Sequence, residues 1–335
     1  MKTVLIDADV LGRRRTGDET YVANLLRELG RLAGGLRLVA VTRHPELVPD
    51  GIEPLLVPAR SQELRMAVRL PLLLRRLRPA LAHFQHALPP WLPCAAVLTV
   101  HDLGFERDPS LMPLVDRTVF RALVPRSARR AGRVLAVSER TKADLVELYR
   151  VPEEKIVVTP NAVDPAFTPS DNLSQGRYAL FVGAVQARKD PLAALAAAES
   201  AGLPLVVVGP EKEPGLAAEL RRRGAELRGY VPQPELVALY RDAAALVLPS
   251  RYEGFGLPVL EAMACGTPVV ATPDPALCEV AGDAGIFAEP ARLGDALRRA
   301  VAERAPRREA GIERARAFSW EQTARRTLAV YEELL

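Results

Sequence analysis

Cysteine is nearly absent from this 335-residue chain: Cys94, Cys265 and Cys278 are odd in number and lack metal-ligand spacing. That pattern excludes a disulfide framework and a structural zinc, and it predicts a reduced, cytoplasmic protein. Aromatic residues make up only 5%, too few for a surface that reads single-stranded nucleic acid by stacking. Long apolar runs are missing as well. Arg or Lys interrupts each one short of the about 18 residues that a membrane span needs, so no transmembrane helix is expected. The apolar part of MKTVLIDADVLG is too short for a signal peptide, has no small-residue cleavage site, and reads as a first strand. Neither G-x-G-x-x-G nor G-x-x-x-x-G-K-[ST] occurs, which argues against a dinucleotide dehydrogenase and a P-loop NTPase.

What is present is a globular composition, with 49% hydrophobic and 26% charged residues, long enough for about two domains. The net charge of +4 is uneven: residues 1–165 carry +6 and the remainder −2. A basic half can face phosphates, nucleic acid or an anionic membrane. A chain in which Arg is abundant and Lys scarce also acquires such a balance from composition alone.

Short apolar runs rich in Val, Leu and Ala alternate with helical patterns, the rhythm of βαβ units and parallel sheets. The strands expected in the first half are 3–7, 37–42, 96–100, 133–137 and 155–159, with helices at 19–33, 61–77, 113–130 and 139–149. Residues 164–177, DPAFTPSDNLSQGR, read as a linker. Beyond it, strands at 179–183, 205–209, 245–249 and 268–272 alternate with helices near 191–200, 214–223, 235–243 and 258–265, and a helical region runs from about 291 to the end. The expected fold is α/β: two Rossmann-like, doubly wound domains facing a cleft. Ligands on such sheets bind at the carboxyl ends of strands, so the loops there are the place to search.

The richest loop is SRYEGFGLPVLEAMACG, 250–266. Pro258 fits the first helical position and Gly266 the C-terminal cap. Glu253 then lies in the loop and Glu261 in the first helical turn. Free N–H groups near Gly256 and Leu257 would attract phosphate or ligand oxygens, and two carboxylates suit a hydroxyl-rich ligand. The ordinary alternative is one capping glutamate and one solvated glutamate. In VGAVQARKD, 182–190, Arg188 and Lys189 precede a helix that Pro191 would start. Two cations at a helix N-terminus are unfavourable without an anion, which a diphosphate would supply; solvated surface cations are the plain alternative. The first loop, DADVLGRRRTGDETY, offers Gly12 and Gly17 for unusual backbone angles, and Asp7 and Asp9 read as turn and cap formers rather than metal ligands. His101 and Asp102 follow a buried strand, where His101 would serve as a hydrogen-bond donor in the cleft or as a satisfied structural histidine. His83 and His86 of HFQH read as structural residues of another strand-end loop, and Ser138 as a helix N-cap. The Arg-rich stretch 60–78 predicts an amphipathic helix, a solvated cationic face being the simpler reading and contact with an anionic membrane the functional one.

Taken together, RGYVPQPELVALYRDAAALVLPSRYEGFGLPVLEAMACGTPVVAT (228–272) resembles the signature region of family 4 retaining glycosyltransferases of the two-domain GT-B fold, with an E-x7-E pair at Glu253 and Glu261. VGAVQARKD, VTVHDLGF, LAVSERTKADL, VVTPNAVD and the terminal FSWEQTARRTLAVYEELL resemble further stretches of that family in the same order. The resemblance implies transfer of a sugar from a nucleoside diphosphate sugar, GDP-mannose being favoured on loop details, to an acceptor hydroxyl with retention of configuration. It also implies an N-terminal domain of residues 1–165, a nucleotide-sugar domain of 166–317, and a terminal helix at about 318–335 that packs back onto the first domain. By matching positions, Glu261 holds the ribose, while Glu253 and the backbone of Gly254, Phe255, Gly256 and Leu257 hold the transferred sugar. Arg188 and Lys189, next to Gly183, neutralise the diphosphate. His101 contacts the sugar near its reacting face, Gly17 approaches the phosphates, and Tyr230 and Val231 lie beside the base. No metal or other cofactor and no nucleic-acid partner is expected; the acceptor is left open, and a membrane contact through 60–78, the functional alternative to its solvated face, would suit a lipid-linked one. Two positions depart from the family pattern: Ala184 stands where an Arg is frequent, and TGDETY is less glycine-rich than usual. A nucleotide-sugar epimerase of similar two-domain build and a basic nucleic-acid-binding regulator are the competing classes.

Overall fold

The computed structural model describes residues 1–13, 17–59, 61–108, 114–170 and 176–335. The expected linker therefore lies partly outside the described residues, as do Arg14, Arg15 and Thr16 of the first loop and Arg60 of the Arg-rich stretch. The chain divides into two compact units, Met1–Asn161 with Ser319–Leu335, and Ala162–Phe318.

The first unit runs β1 (Lys2–Asp7), α1 (Gly17–Leu32), β2 (Leu36–Thr42), β3 (Glu53–Leu56), α2 (Gln62–Leu64), a π turn (Arg65–Arg69), α3 (Leu70–Leu77), β4 (Leu81–Gln85), β5 (Ala95–Val100), α4 (Gly104–Arg107), α5 (Leu114–Arg130), β6 (Arg133–Ala136), α6 (Glu139–Tyr149) and β7 (Ile156–Val158). Its seven parallel strands are ordered β3-β2-β1-β4-β5-β6-β7. Strands in such sheets are buried on both faces, which is why they read as continuous apolar runs. One face packs Leu5, Phe84, Leu98 and Val134 against Leu70 and Leu74 of α3, Val124 of α5 and Leu145 of α6. Ser138 caps α6, its hydroxyl accepting from the Thr141 N–H at 3.0 Å.

The second unit contains β8 (Ala179–Val182), α7 (Pro191–Ser200), β9 (Leu205–Val208), α8 (Pro214–Arg222), β10 (Glu226–Gly229), α9 (Gln233–Asp242), β11 (Ala245–Leu248), α10 (Leu257–Ala264), β12 (Val269–Ala271), α11 (Pro275–Ala281), β13 (Ile286–Phe287), α12 (Leu293–Ala302) and α13 (Arg304–Ala315). Its sheet is again parallel, ordered β10-β9-β8-β11-β12-β13. In both sheets the order reverses beside the first strand, at β1/β4 and at β8/β11. A crevice opens at the carboxyl ends of the strands at such a switch point. Where β8 and β9 end, Gly209 (φ +143°) passes so close to the Gly183 carbonyl that a Cβ would stand 2.1 Å from its oxygen. Only glycine fits there.

The last helix, α14 (Trp320–Leu334), belongs to the first unit and packs on α1. Tyr331 Oη lies 2.6 Å from His83 Nδ1, and His83 Nε2 lies 2.7 Å from Thr99 Oγ1, so a buried polar chain ties α14 to β4 and β5. His83 thus sits inside a strand, not in a loop. Burial, and next the charge of His101, push its pKa down to about 3.

Four strands escaped the apolar-run reading: β3, β4, β10 and β13. Three of them interrupt the apolar pattern with Glu, His, Gln or Arg, and β13 has only two residues. Asp7 and Asp9 do not serve chiefly as turn and cap formers. Arg65, wholly buried, ion-pairs with Asp7 and lies 3.4 Å from Asp9 through Nε, while Arg43 grips Asp9 with two 2.9 Å bonds. Buried carboxylates need such partners. The Arg-rich stretch is correspondingly less cationic at its surface than its sequence suggests, because Arg65 points inward.

Candidate functional site

In the second unit, the loops after β8 and β11 meet at the switch point. A single turn at Ala187–Lys189 follows β8, and the Arg188 carbonyl accepts the Arg251 N–H at 2.9 Å, joining the two loops. Glu253 comes from the β11 loop and is only 6% exposed. Its Oε1 accepts from Lys189 Nζ, and its Oε2 lies 3.7 Å from Arg188 Nη1, which also donates to the Tyr252 carbonyl. Burial works to raise the Glu253 pKa, but Lys189 and Arg188 hold it below the usual carboxylate range. The anion that the two cations require is therefore provided by the protein itself. At the start of α7 the Asp190 carboxylate caps the helix through the Ala193 N–H at 3.3 Å.

Helix α10 begins one residue earlier than expected: Leu257 is its first residue, Pro258 the second, and Gly256 (φ +104°) the N-cap. A Cβ at Gly256 would come 2.6 Å from Leu277 Cδ2, so both the backbone angle and the packing demand glycine. Cys265 is the C-cap and Gly266 follows it in a left-handed conformation. The shift moves Glu261 into the second turn rather than the first. There its Oε2 accepts from Tyr240 Oη of α9 at 2.7 Å. Burial, and then the Glu261 charge, push the Tyr240 pKa far up, so the phenol stays protonated as donor. The Gly256 and Leu257 N–H groups have no acceptor within the helix. Phe255 is buried, edge-on to Phe318 at 5.8 Å, with Gly254 before it. After β10, Tyr230 is half exposed while Val231 is buried.

In the first unit, His101 follows β5 and is buried, its Nε2 2.9 Å from Gln85 Oε1 at the end of β4 and its ring edge-on to Tyr21 at 4.9 Å. Burial outweighs the nearby Asp18 carboxylate and brings the His101 pKa down to about 4, so the ring is neutral at ordinary pH. Gly17 opens α1, directly before Asp18. Among the described residues no group of three or more His, Cys, Asp or Glu side chains could hold a metal ion.

Sequence reasoning missed Tyr240, which steers Glu261, and Asp274, whose Oδ2 accepts the Glu253 N–H at 3.4 Å while Oδ1 caps α11. Tyr240 lies within the 228–272 run but at a helical position away from its Glu pair, and Asp274 lies just beyond it. A Tyr at helical spacing and a cap aspartate look alike whether or not they touch a site.

Residues 166–318 match the model for glycosyl transferases group 1, and residues 15–167 match that for glycosyltransferase family 4. The chain is 31% identical to the O-antigen chain mannosyltransferase B of Escherichia coli over 71% of its own length and 70% of that protein's. The chain is a group 1 glycosyltransferase of family 4. Other relatives of this glycosyltransferase include a D-inositol 3-phosphate glycosyltransferase from Acidothermus cellulolyticus, 34% identical over 57% of the chain and 51% of that protein. An MMP alpha-(1->4)-mannosyltransferase from Mycolicibacterium hassiacum is 33% identical over 67% of the chain and 59% of its own length. The matches thus span between about half and 70% of the curated relatives. The fold is shared with sucrose-phosphate synthase from Thermosynechococcus elongatus (TM-score 0.78, 20% identity, 100% and 99% of the two chains). It is shared too with an Anabaena protein solved with UDP and glucose (TM-score 0.76, 14% identity, 100% of both chains). These are GT-B glycosyltransferase structures, and the comparisons lend no support to the epimerase or the nucleic-acid-binding regulator.

Proposed function

We propose that this glycosyltransferase moves mannose from GDP-mannose to an acceptor hydroxyl with retention of anomeric configuration. The observation that carries the reading is the buried Glu253 held between Arg188 and Lys189 at the β8/β11 switch point. A mannosyltransferase among the relatives supports the choice of sugar. In this reading Arg188 and Lys189 receive the diphosphate and stabilise the charge that grows on it as the sugar leaves. Glu253, with the backbone of Gly254 to Leu257, holds the sugar hydroxyls. Glu261, oriented by Tyr240, accepts from the ribose, and Tyr230 and Val231 flank the base. The bond from the anomeric carbon to the diphosphate oxygen breaks, and one to the acceptor oxygen forms on the same face. The acceptor proton passes to a leaving phosphate oxygen, so no side chain acts as nucleophile and no metal is called for. His101, neutral, contacts the sugar near the reacting carbon. A thermal-shift panel of nucleoside diphosphates and their sugars, followed by NMR of the product anomer, tests this. Stabilisation by GDP and GDP-mannose with an α-linked product is expected; stabilisation by no nucleotide, or an inverted product, overturns it.

A lipid-linked acceptor at an anionic membrane is the second part of the proposal. Leu64, Val68 and Leu72 are exposed at four-residue spacing, beside exposed Arg69, Arg75 and Arg76. An apolar stripe flanked by cations suits an interfacial helix. No helix among the described residues is long and apolar enough to cross a membrane. Co-sedimentation with phosphatidylglycerol vesicles at low salt is expected, and its absence refutes the contact.

A further inference from the structure

The peptide unit that joins Tyr252 to Glu253 is gripped at both ends. Its carbonyl accepts from Arg188 Nη1, and its N–H, on Glu253, donates to Asp274 Oδ2 at 3.4 Å. A cation at the carbonyl and an anion at the N–H both align with the peptide dipole, so together they hold this unit in one orientation. The anion is firmly mounted. Asp274 is buried and stands between Pro273 and Pro275, with φ −68° and ψ 134°. A following proline favours that extended backbone, and a preceding one removes a further rotation. The Asp274 N–H donates to the Thr272 carbonyl at 2.8 Å, and the Thr272 hydroxyl donates to the Ser250 carbonyl at 2.6 Å. Residues 272–274, at the end of β12, therefore hold the β11 loop at two points, Ser250 and Glu253.

A helix cap needs one acceptor oxygen, and Ser or Asn supplies it as well as Asp. Asp274 Oδ1 fills that role for α11, accepting the Ala276 N–H at 2.9 Å and the Leu277 N–H at 3.4 Å. Oδ2 is surplus to capping and goes to Glu253. The Glu253 side chain is held differently, by Lys189 and Arg188. A diphosphate taken up by those two cations draws them away from the carboxylate. It does not compete for the N–H groups on Asp274, because an acceptor cannot replace a donor there. The hold from Asp274 thus persists once the donor is in place. Leu277, three residues further on, packs on Gly256 at the start of α10, so the same short segment also supports the far end of the loop.

We propose that Asp274 is a positioning residue for sugar transfer: through the Tyr252–Glu253 peptide it keeps the Glu253 carboxylate aimed at the donor sugar while Arg188 and Lys189 turn to the diphosphate. The proposal rests on the donor reading above and adds a residue that acts through Glu253.

The test uses the full chain, with GDP-mannose as donor and methyl α-D-mannopyranoside as acceptor. Asp274→Ser keeps a cap oxygen for α11 but is too short to reach Glu253, and Asp274→Asn sets an NH2 group against the Glu253 N–H. Thermal midpoints are therefore expected to stay within about 3 °C of wild type. In both variants kcat should fall at least about fivefold, while affinity for free GDP, which has no sugar, shifts less than about threefold. In a Glu253→Ala background the same substitutions should change kcat less than about twofold, because no carboxylate is left to aim. Equal losses in the two backgrounds, or a GDP affinity that falls as far as kcat, refutes the positioning role. Amide exchange followed by NMR reads the hold without any donor. The Glu253 N–H should exchange at least about fivefold faster in Asp274→Ser while the Ala276 and Leu277 N–H groups stay protected. Wild type that turns over no nucleotide sugar overturns the donor reading; faster Glu253 exchange then still upholds the hold from Asp274, and unchanged exchange refutes it.

Discussion

Replacing Glu253 by Gln separates the two carboxylates of the E-x7-E pair in a way that spacing alone would not suggest. In the structure Glu253 already occupies the two cations proposed to receive the diphosphate. An incoming diphosphate must share Lys189 and Arg188 with a carboxylate that is 6% exposed. A charge–charge interaction at about 4 Å is worth about 4 kcal/mol at an effective dielectric of 20, so repulsion between Glu253 and the phosphates offsets part of the binding. Glu253→Gln keeps the shape and one acceptor oxygen but removes that charge. Affinity for free GDP is therefore expected to be unchanged or up to about tenfold tighter, about 1.4 kcal/mol. Turnover of the intact donor should fall at least tenfold, because hydrogen bonds from the sugar hydroxyls to a charged acceptor contribute about 1.5–3 kcal/mol. Glu261→Ala should act oppositely, weakening free GDP by about 10- to 150-fold, since the ribose is present in both ligands. Tyr240→Phe should give a smaller loss of the same kind by releasing the Glu261 carboxylate. Calorimetry with GDP, paired with turnover assays, reads both effects. Equal losses of GDP affinity in Glu253→Gln and Glu261→Ala would refute the reasoning.

Arg65→Ala should destabilise the first unit by about 3–5 kcal/mol, because it strands the buried Asp7 carboxylate; replacing Arg65, Asp7 and Asp9 together with apolar residues should cost far less, and equal denaturant midpoints for wild type and Arg65→Ala would refute this. His83 has its folded pKa depressed to about 3 from 6.5, so the unfolded chain binds the extra proton. Stability from this group is complete above about pH 6.5 and is lost as pH falls from there, and unfolding midpoints between pH 7 and pH 5 should drop in wild type but less in His83→Gln. Sugar transfer should persist in excess chelator; activity lost with chelator and restored by Mg²⁺ or Mn²⁺ would overturn the metal-free reading of Arg188 and Lys189.

Much of the fold was legible in the chain because its physics is local. A buried parallel strand must be apolar on both faces, so LVVV and ALVL announce β9 and β11 directly. Ser138 before α6 and Asp190-Pro191 before α7 announce helix starts, because caps and first-turn prolines act within a few residues. The Glu253–Glu261 spacing and the Arg188–Lys189 pair also stand in the sequence as candidate ligands of one site.

What tertiary structure alone decided are the pairings across long sequence separations. Nothing near Arg65 in the chain says that it is buried against Asp7, 58 residues away, since an arginine in a helix pattern reads equally well as solvated. Lys189 and Glu253 are 64 residues apart, and only the adjacency of β8 and β11 turns two unpaired charges into a buried ion pair. A one-residue shift in where α10 begins, set by packing of Gly256 on Leu277, moves Glu261 by a turn position and hands it to Tyr240. Asp274 looks like an ordinary helix cap in the chain, because its second bond, from the Glu253 N–H, exists only once β12 lies beside β11. Pairing and desolvation depend on neighbours in space, and those neighbours are supplied by the order of strands in a sheet.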